Sequence, residues 1–238
     1  MSWDTKVSTG VEKFGGQVLV LYRQGLDIRV KSGGSLVNGG WCLAMSIQWI
    51  IKTANDQSFW GWFKPPAVAC PSLADRNASA GVGAPFVALK TIMQHDAKMV
   101  KQKEYLIQSG LNPTAVMNWY APKITFETPC QRNQNGDSLQ QNVVSGETLA
   151  QMCTRTSGYK TISIYGDSGA HAMAARVIDG TVVFMDPNYG EFYFPDFTGF
   201  TKFMKGFWAK FKYANKFSKL VAVTSFTDPE GSYGQVSF

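Results

Sequence analysis

Cys42 lies in the stretch Asn38-Gly39-Gly40-Trp41-Cys42-Leu43-Ala44-Met45-Ser46, where two glycines precede a dense apolar run. The glycines permit a sharp backbone turn, and the run from Trp41 to about Asn55 reads as a buried helix. Cys42 then falls in the first helical turn. Unpaired backbone N–H groups and the helix dipole there favour negative charge, which means thiolate over thiol. The same N–H groups can hold a developing oxyanion. A cysteine on an apolar helix is by itself ordinary packing, so nucleophilic chemistry requires partners. Only two histidines exist, His95 and His171. His95 lies off the apolar stripe of its helical segment, beside Gln94 and Asp96, and reads as solvent-facing. His171 opens an apolar strand after Gly166-Asp167-Ser168-Gly169-Ala170.

A tight turn gives His171 a neighbour. Asp179-Gly180 between apolar runs is a strong two-residue hairpin signal. With those residues as the loop, Ile178 pairs with Thr181, and Asp186 falls opposite Met173. His171 is two residues from Met173 and so shares the face of Asp186. Diagonal neighbours of this kind are roughly 7–8 Å apart, within reach of an imidazole and a carboxylate. The carboxylate would fix the imidazole tautomer, leaving the other ring nitrogen for the thiolate. Asp167 and Asp179 are rivals for that third place. Asp179 is better explained by the turn, and Asp167 precedes His171 too closely for a cross-strand contact.

The elements that must position these residues follow from periodicity and punctuation. Residues 17–23 read as a strand. Residues 56–84 read as a loop with three prolines and the rings Phe59, Trp60, Trp62 and Phe63, tucked onto the core or lining a cleft. Pro85 to about Ser109 reads as a helix closed by Gly110. The polar run 131–142 reads as a mobile surface loop, with a short helix at 147–152 after it. Strands are expected at 160–166, 171–178, 181–186, 190–195 and 219–226. Phe200, Phe203, Met204, Phe207, Trp208 and Phe211 trace one helical face over 200–212, with lysines on the other. That face reads as core packing, with a membrane surface as the alternative. Helices first and antiparallel strands later imply an α+β domain. We expect one domain over 1–238, with residues 1–30 as a less ordered N-terminal extension.

Composition narrows the partners. The net charge is +6, from 23 basic and 17 acidic residues. That favours acidic partners, but no Lys/Arg run of five or more supports nucleic-acid binding. No apolar segment is long enough to span a bilayer. The start Met1-Ser2-Trp3-Asp4 lacks a basic region followed by an apolar stretch, so a Sec-type leader is not expected. Without one, Cys42, Cys70, Cys130 and Cys153 are expected as free thiols, and their spacing with two histidines offers no zinc site. No cofactor and no metal are expected.

Three motifs now stand in order: Gly40-x-Cys42-x-Ala44-x-Ser46-x-x-Trp49, Gly169-Ala170-His171-x-Met173-Ala174, and Asp186-Pro187-Asn188-x-Gly190. Together they resemble the YopT/AvrPphB-type cysteine proteases, papain-like enzymes delivered into other cells by bacteria. The resemblance spans about residues 36–195. It implies a papain-like fold, a Cys42 nucleophile, a His171 base and an orienting Asp186. It also implies a side-chain amide upstream of the cysteine for the oxyanion hole, for which Asn38 is the nearest candidate. The implied activity is hydrolysis of a peptide bond in a target-cell protein, after secretion by a type III or type VI-like route into that cell's cytosol. A secretion chaperone or an immunity protein would be further partners. A deamidase or transglutaminase, a cell-wall amidase and a non-catalytic binding module are the alternatives.

Overall fold

The computed structural model describes residues 2–27, 41–66, 68–70, 85, 87–94, 121–130, 138–141, 145–167, 169–211 and 213–228. Helix α1 (Trp3–Glu12) buries Val7 and Val11, one turn apart. Strand β1 (Gln17–Leu21) and a 3₁₀ turn (Gln24–Leu26) follow. Helix α2 (Cys42–Thr53) buries nine of its twelve residues, as an all-round apolar sequence requires. Helix α3 (Phe59–Phe63) is capped by Ser58, whose hydroxyl accepts from the Gly61 N–H. Residues 87–94 form α4 and Ala121–Glu127 form α5. Strand β2 (Ser138–Gln141) precedes α6 (Gly146–Thr154), whose cap is Ser145.

Strands β3 (Gly158–Gly166), β4 (Gly169–Ile178), β5 (Thr181–Asp186) and β6 (Gly190–Phe194) form a meander. Helix α7 (Phe197–Lys210), the short α8 (Tyr213–Lys216) and β7 (Leu220–Phe226) complete the described elements. The strands make one seven-stranded sheet in the order β1-β6-β5-β4-β3-β7-β2. Every neighbouring pair is antiparallel.

One face of the sheet carries α1, α6 and α7. There Met173, Ala175, Val177, Phe184, Phe192 and Phe194 pack against Phe200, Phe203, Met204, Phe207 and Trp208. The other face carries α2 and α3, with Tyr159, Ala174, Met185 and Phe226 against Trp49, Ile50, Phe59 and Phe63. The period-two alternation Met173/Ala174/Ala175 thus feeds two separate cores. The aromatic face of α7 is core packing, and among the described residues no helix is long and apolar enough to cross a membrane. The α+β class, helices packed on an antiparallel sheet, is as expected.

Three expectations need correction. Residues 2–27 are not an extension of lesser order: Val7 and Val11 are fully buried, and β1 closes one edge of the sheet on β6. The 56–84 stretch contains a helix, because Ser58 caps a turn whose rings Phe59, Trp60 and Phe63 are buried. The polar 131–142 stretch contains an edge strand: Ser138–Gln141 pairs with Val221–Thr224. An edge strand needs only ladder hydrogen bonds, so its polar sequence gave no apolar signal. Residues 95–109, including His95, lie outside the described residues.

Candidate active site

The Asp179-Gly180 turn sets the geometry. Both residues have positive φ, 48° and 82°, as a type I′ hairpin requires. The ladder runs from Ile178–Thr181 to Ala174–Met185 in the expected register and stops one pair short of Met173–Asp186. Asp186 leaves that ladder to pair with Gly190. His171 Nε2 lies 2.9 Å from Asp186 Oδ1, with both side chains buried. Phe217 stacks on the imidazole, ring centroids 6.0 Å apart, and Tyr213 flanks it at 5.5 Å. With Nε2 committed to the carboxylate, Nδ1 is the ring nitrogen left for Cys42.

Cys42 opens α2 and is in hydrogen-bonding contact with His171, and the Leu43 and Ala172 N–H groups are also directed at its sulfur. Burial alone would raise its pKa. The His171 charge, the imidazole hydrogen bond and the two N–H groups outweigh burial and bring the thiol below its ordinary value. For His171, burial acts to lower the pKa, but the Asp186 and Cys42 charges and hydrogen bonds prevail and push it up to about 10. Both shifts run toward the charged forms, thiolate and imidazolium, because each group favours the other's charge. The other thiols differ: burial pushes Cys130 up, and pushes Cys153 up to about 12. None of the four cysteines is joined in a disulfide.

The rival carboxylates lie elsewhere. Asp167 is mostly exposed and paired with Lys219, and Asp179 occupies the turn. Asn38 lies outside the described residues. Among the described residues no group of three His, Cys, Asp or Glu could hold a metal ion.

Three residues at the site escaped the sequence reading: Gln24, Asn188 and Tyr213. Asp186 Oδ1 also accepts the Asn188 backbone N–H at 2.8 Å, and Oδ2 accepts the Tyr213 hydroxyl at 2.9 Å. Asn188 Nδ2 donates to the Tyr213 oxygen at 3.0 Å and lies 3.4 Å from His171 Nε2. Gln24 Nε2 donates to Asn188 Oδ1 at 2.7 Å, and Gln24 Oε1 accepts the Trp41 N–H at 3.2 Å. Asn188 carried a signal, since it lies in the Asp186-Pro187-Asn188 motif. Gln24 and Tyr213 carried none, because their contacts span separations no local pattern encodes.

Comparison with known proteins accords with this architecture. The family model described as the Yersinia/Haemophilus virulence surface antigen, a peptidase family, matches residues 91–225. Over 220 residues, 88% of the chain, the sequence is 37% identical to the protein adenylyltransferase and cysteine protease IbpA of Histophilus somni, and this covers 5% of that protein. It is 47% identical over 58 residues to the cysteine protease YopT of Yersinia pestis, covering 24% of this chain and 18% of that one. The chain thus spans only a small part of the curated relatives it matches. The crystal structure of the Pseudomonas avirulence protein AvrPphB is similar in fold, with TM-score 0.53 at 14% identity over 79% of this chain and 91% of that one. With the family model matching over half of its length, the chain belongs to the YopT-type cysteine protease family.

Proposed function

We propose that the chain is a thiol protease in which Cys42 is the nucleophile, His171 the general acid and base, and Asp186 the residue that orients and charges the imidazole. The observation that carries this reading is the contact sequence itself: a thiol with lowered pKa at a helix start, against a buried imidazole 2.9 Å from a buried carboxylate. The thiolate attacks a peptide carbonyl. First-turn N–H groups of α2 face the developing oxyanion. His171 Nδ1–H protonates the leaving amine, giving a thioester and a neutral imidazole held by Asp186. The imidazole then takes a proton from water, which hydrolyses the thioester and restores the thiolate–imidazolium pair.

The substrate is a protein of a target cell, and the chain acts after delivery there as a bacterial effector. Supporting this are relatives named as cysteine proteases and a family described by virulence. The test combines a peptide-like electrophile with mapping of the modified cysteine and mass spectrometry of treated target-cell proteins. Labelling is expected at Cys42 alone, with new protein termini, and both are lost in Cys42→Ala and His171→Ala. Full cleavage by Cys42→Ala overturns the assignment. A gain of about one dalton on glutamine or asparagine without new termini would mean deamidation by the same thioester chemistry.

A further inference from the structure

We propose that Gln24, Asn188 and Tyr213 form a one-way hydrogen-bond relay that positions the start of the nucleophile's helix against the Asp186 carboxylate. They are positioning residues, and the proposal rests on the reading of Cys42, His171 and Asp186 as the reacting groups.

The direction of the relay follows from its two ends. At one end is the Trp41 backbone N–H, which can only donate. Gln24 must therefore present its oxygen there, at 3.2 Å, and its NH₂ faces Asn188 Oδ1 at 2.7 Å. Asn188 is then fixed in turn: its oxygen is taken, so its NH₂ donates to the Tyr213 oxygen at 3.0 Å. The single hydroxyl proton of Tyr213 is left for Asp186 Oδ2 at 2.9 Å, a carboxylate that can accept it. No amide along the path can be reversed without setting donor against donor. Every dipole points the same way and ends on the negative charge, an arrangement in which each bond polarises the next.

The relay joins parts of the chain that nothing local brings together. Gln24 and Asn188 are 164 residues apart in sequence, and Asn188 and Tyr213 are 25 apart. Gln24, Tyr213 and Asp186 are all buried. The Tyr213 ring is packed by Tyr189, Phe207 and Phe217, and buried polar groups such as its hydroxyl and the Gln24 amide are costly unless each is paired. A second tie, from the Gln24 N–H to the Pro187 carbonyl at 3.0 Å, fixes the same segment to the turn after β5. Trp41 immediately precedes Cys42. The relay therefore sets where the thiolate stands relative to the His171–Asp186 pair.

The test measures Cys42 alkylation by iodoacetamide across pH, mapped by mass spectrometry, in the wild type and in Gln24→Leu, Gln24→Glu, Tyr213→Phe and His171→Ala. Folding of each variant is checked by near-ultraviolet circular dichroism and thermal unfolding. Where Gln24→Leu fails to fold, Tyr213→Phe, which keeps the ring, carries the test. The relay predicts alkylation near pH 7 about tenfold slower in Tyr213→Phe and both Gln24 variants, the scale typical of partners that orient a reacting group. It also predicts an onset of reactivity displaced to higher pH. Gln24→Glu is the sharp case: ionised, it fills the same space and accepts from Trp41 but cannot donate to Asn188. A folded Gln24→Glu and Tyr213→Phe with the wild-type pH profile overturn the relay while His171→Ala still displaces the profile. A wild-type profile in His171→Ala instead overturns the triad reading beneath it.

Discussion

Glu191→Ala should cost the fold several kilocalories per mole, although Glu191 touches neither Cys42 nor His171. Its Oε2 accepts the indole N–H of Trp49 at 3.0 Å and also that of Trp60. Trp49 is in α2, Trp60 in α3 and Glu191 in β6, so one carboxyl oxygen pins two helices to the sheet. Both indoles are buried, at 1% and 5% exposure, so neither N–H can turn to water when the acceptor is removed. An orphaned buried donor costs about 1–3 kcal/mol, which gives about 4 kcal/mol for the pair. In a chain of this length that lowers Tm by about 8–16 °C. Glu191→Gln keeps an amide oxygen in place and should cost about 1 kcal/mol. The pH dependence adds a second arm. Burial holds the Glu191 carboxyl above the usual carboxylate range despite the two indole bonds. The folded state therefore binds this proton more readily than the unfolded state does. Its contribution is full below the unfolded carboxylate pKa, near 4.5, and is lost as pH rises through the folded value. Urea unfolding followed by tryptophan fluorescence at several pH values should show the wild type losing ground to Glu191→Gln as pH rises. Glu191→Ala within 1 kcal/mol of wild type, or a wild-type-minus-Gln difference independent of pH, would refute the reasoning.

Other expected outcomes follow from the same geometry. In His171→Ala the imidazole charge and hydrogen bond are lost and burial is opposed only by the Leu43 and Ala172 N–H groups, so Cys42 alkylation should begin at higher pH than in the wild type, as measured by alkylation rate against pH. The raised His171 value means a stability contribution complete below about 6.5 and lost as pH rises through about 10, so thermal unfolding of the wild type and His171→Ala should converge at the alkaline end. Gly190→Ala should destabilise by more than 1 kcal/mol in urea and slow Cys42 labelling, because its φ is +122° and a Cβ there would lie 2.0 Å from the Val20 carbonyl oxygen. Phe203→Ala, between Phe192, Phe194 and Phe207, should cost about 3–5 kcal/mol by chemical denaturation, with the thiol pH profile unchanged in the folded fraction.

What the sequence disclosed depended on the range of the interaction. The Asp179-Gly180 turn demands positive φ at both residues, and a two-residue loop leaves one register, so His171 and Asp186 could be brought together from local chemistry. The α7 face was equally legible, because Phe200, Phe203, Met204, Phe207 and Trp208 repeat at helical period and all are buried. Its start was misjudged by three residues, since the Asp196 cap, accepting from Gly199 N–H at 2.7 Å, precedes the first periodic ring. The polar edge strand at Ser138–Gln141 was missed because its partner β7 supplies the ladder and Leu139 is the one apolar residue in its sequence. Gln24 was invisible for a deeper reason. Its role exists only once β1 has been laid against β6, a pairing between distant segments with a bulge between Val18 and Val20.

That late pairing has a consequence for the order in which competence arises. The β3–β6 meander closes through short turns, so the pocket of His171 and Asp186 can assemble from neighbouring chain within one folding unit. The thiol and Gln24 reach it only by closing loops of well over a hundred residues, which carry a far larger entropic barrier. A newly made chain would thus hold His171 and Asp186 paired while Cys42 is still undocked. Pulse-labelling hydrogen exchange should find β4 and β5 amides protected before those of α2 and β1, with electrophile reactivity at Cys42 rising only in the final phase. Simultaneous protection of all four elements would rule this sequence of events out. On the proposed triad reading, Cys42 gains its base only when α2 and β1 have docked on the β3–β6 meander.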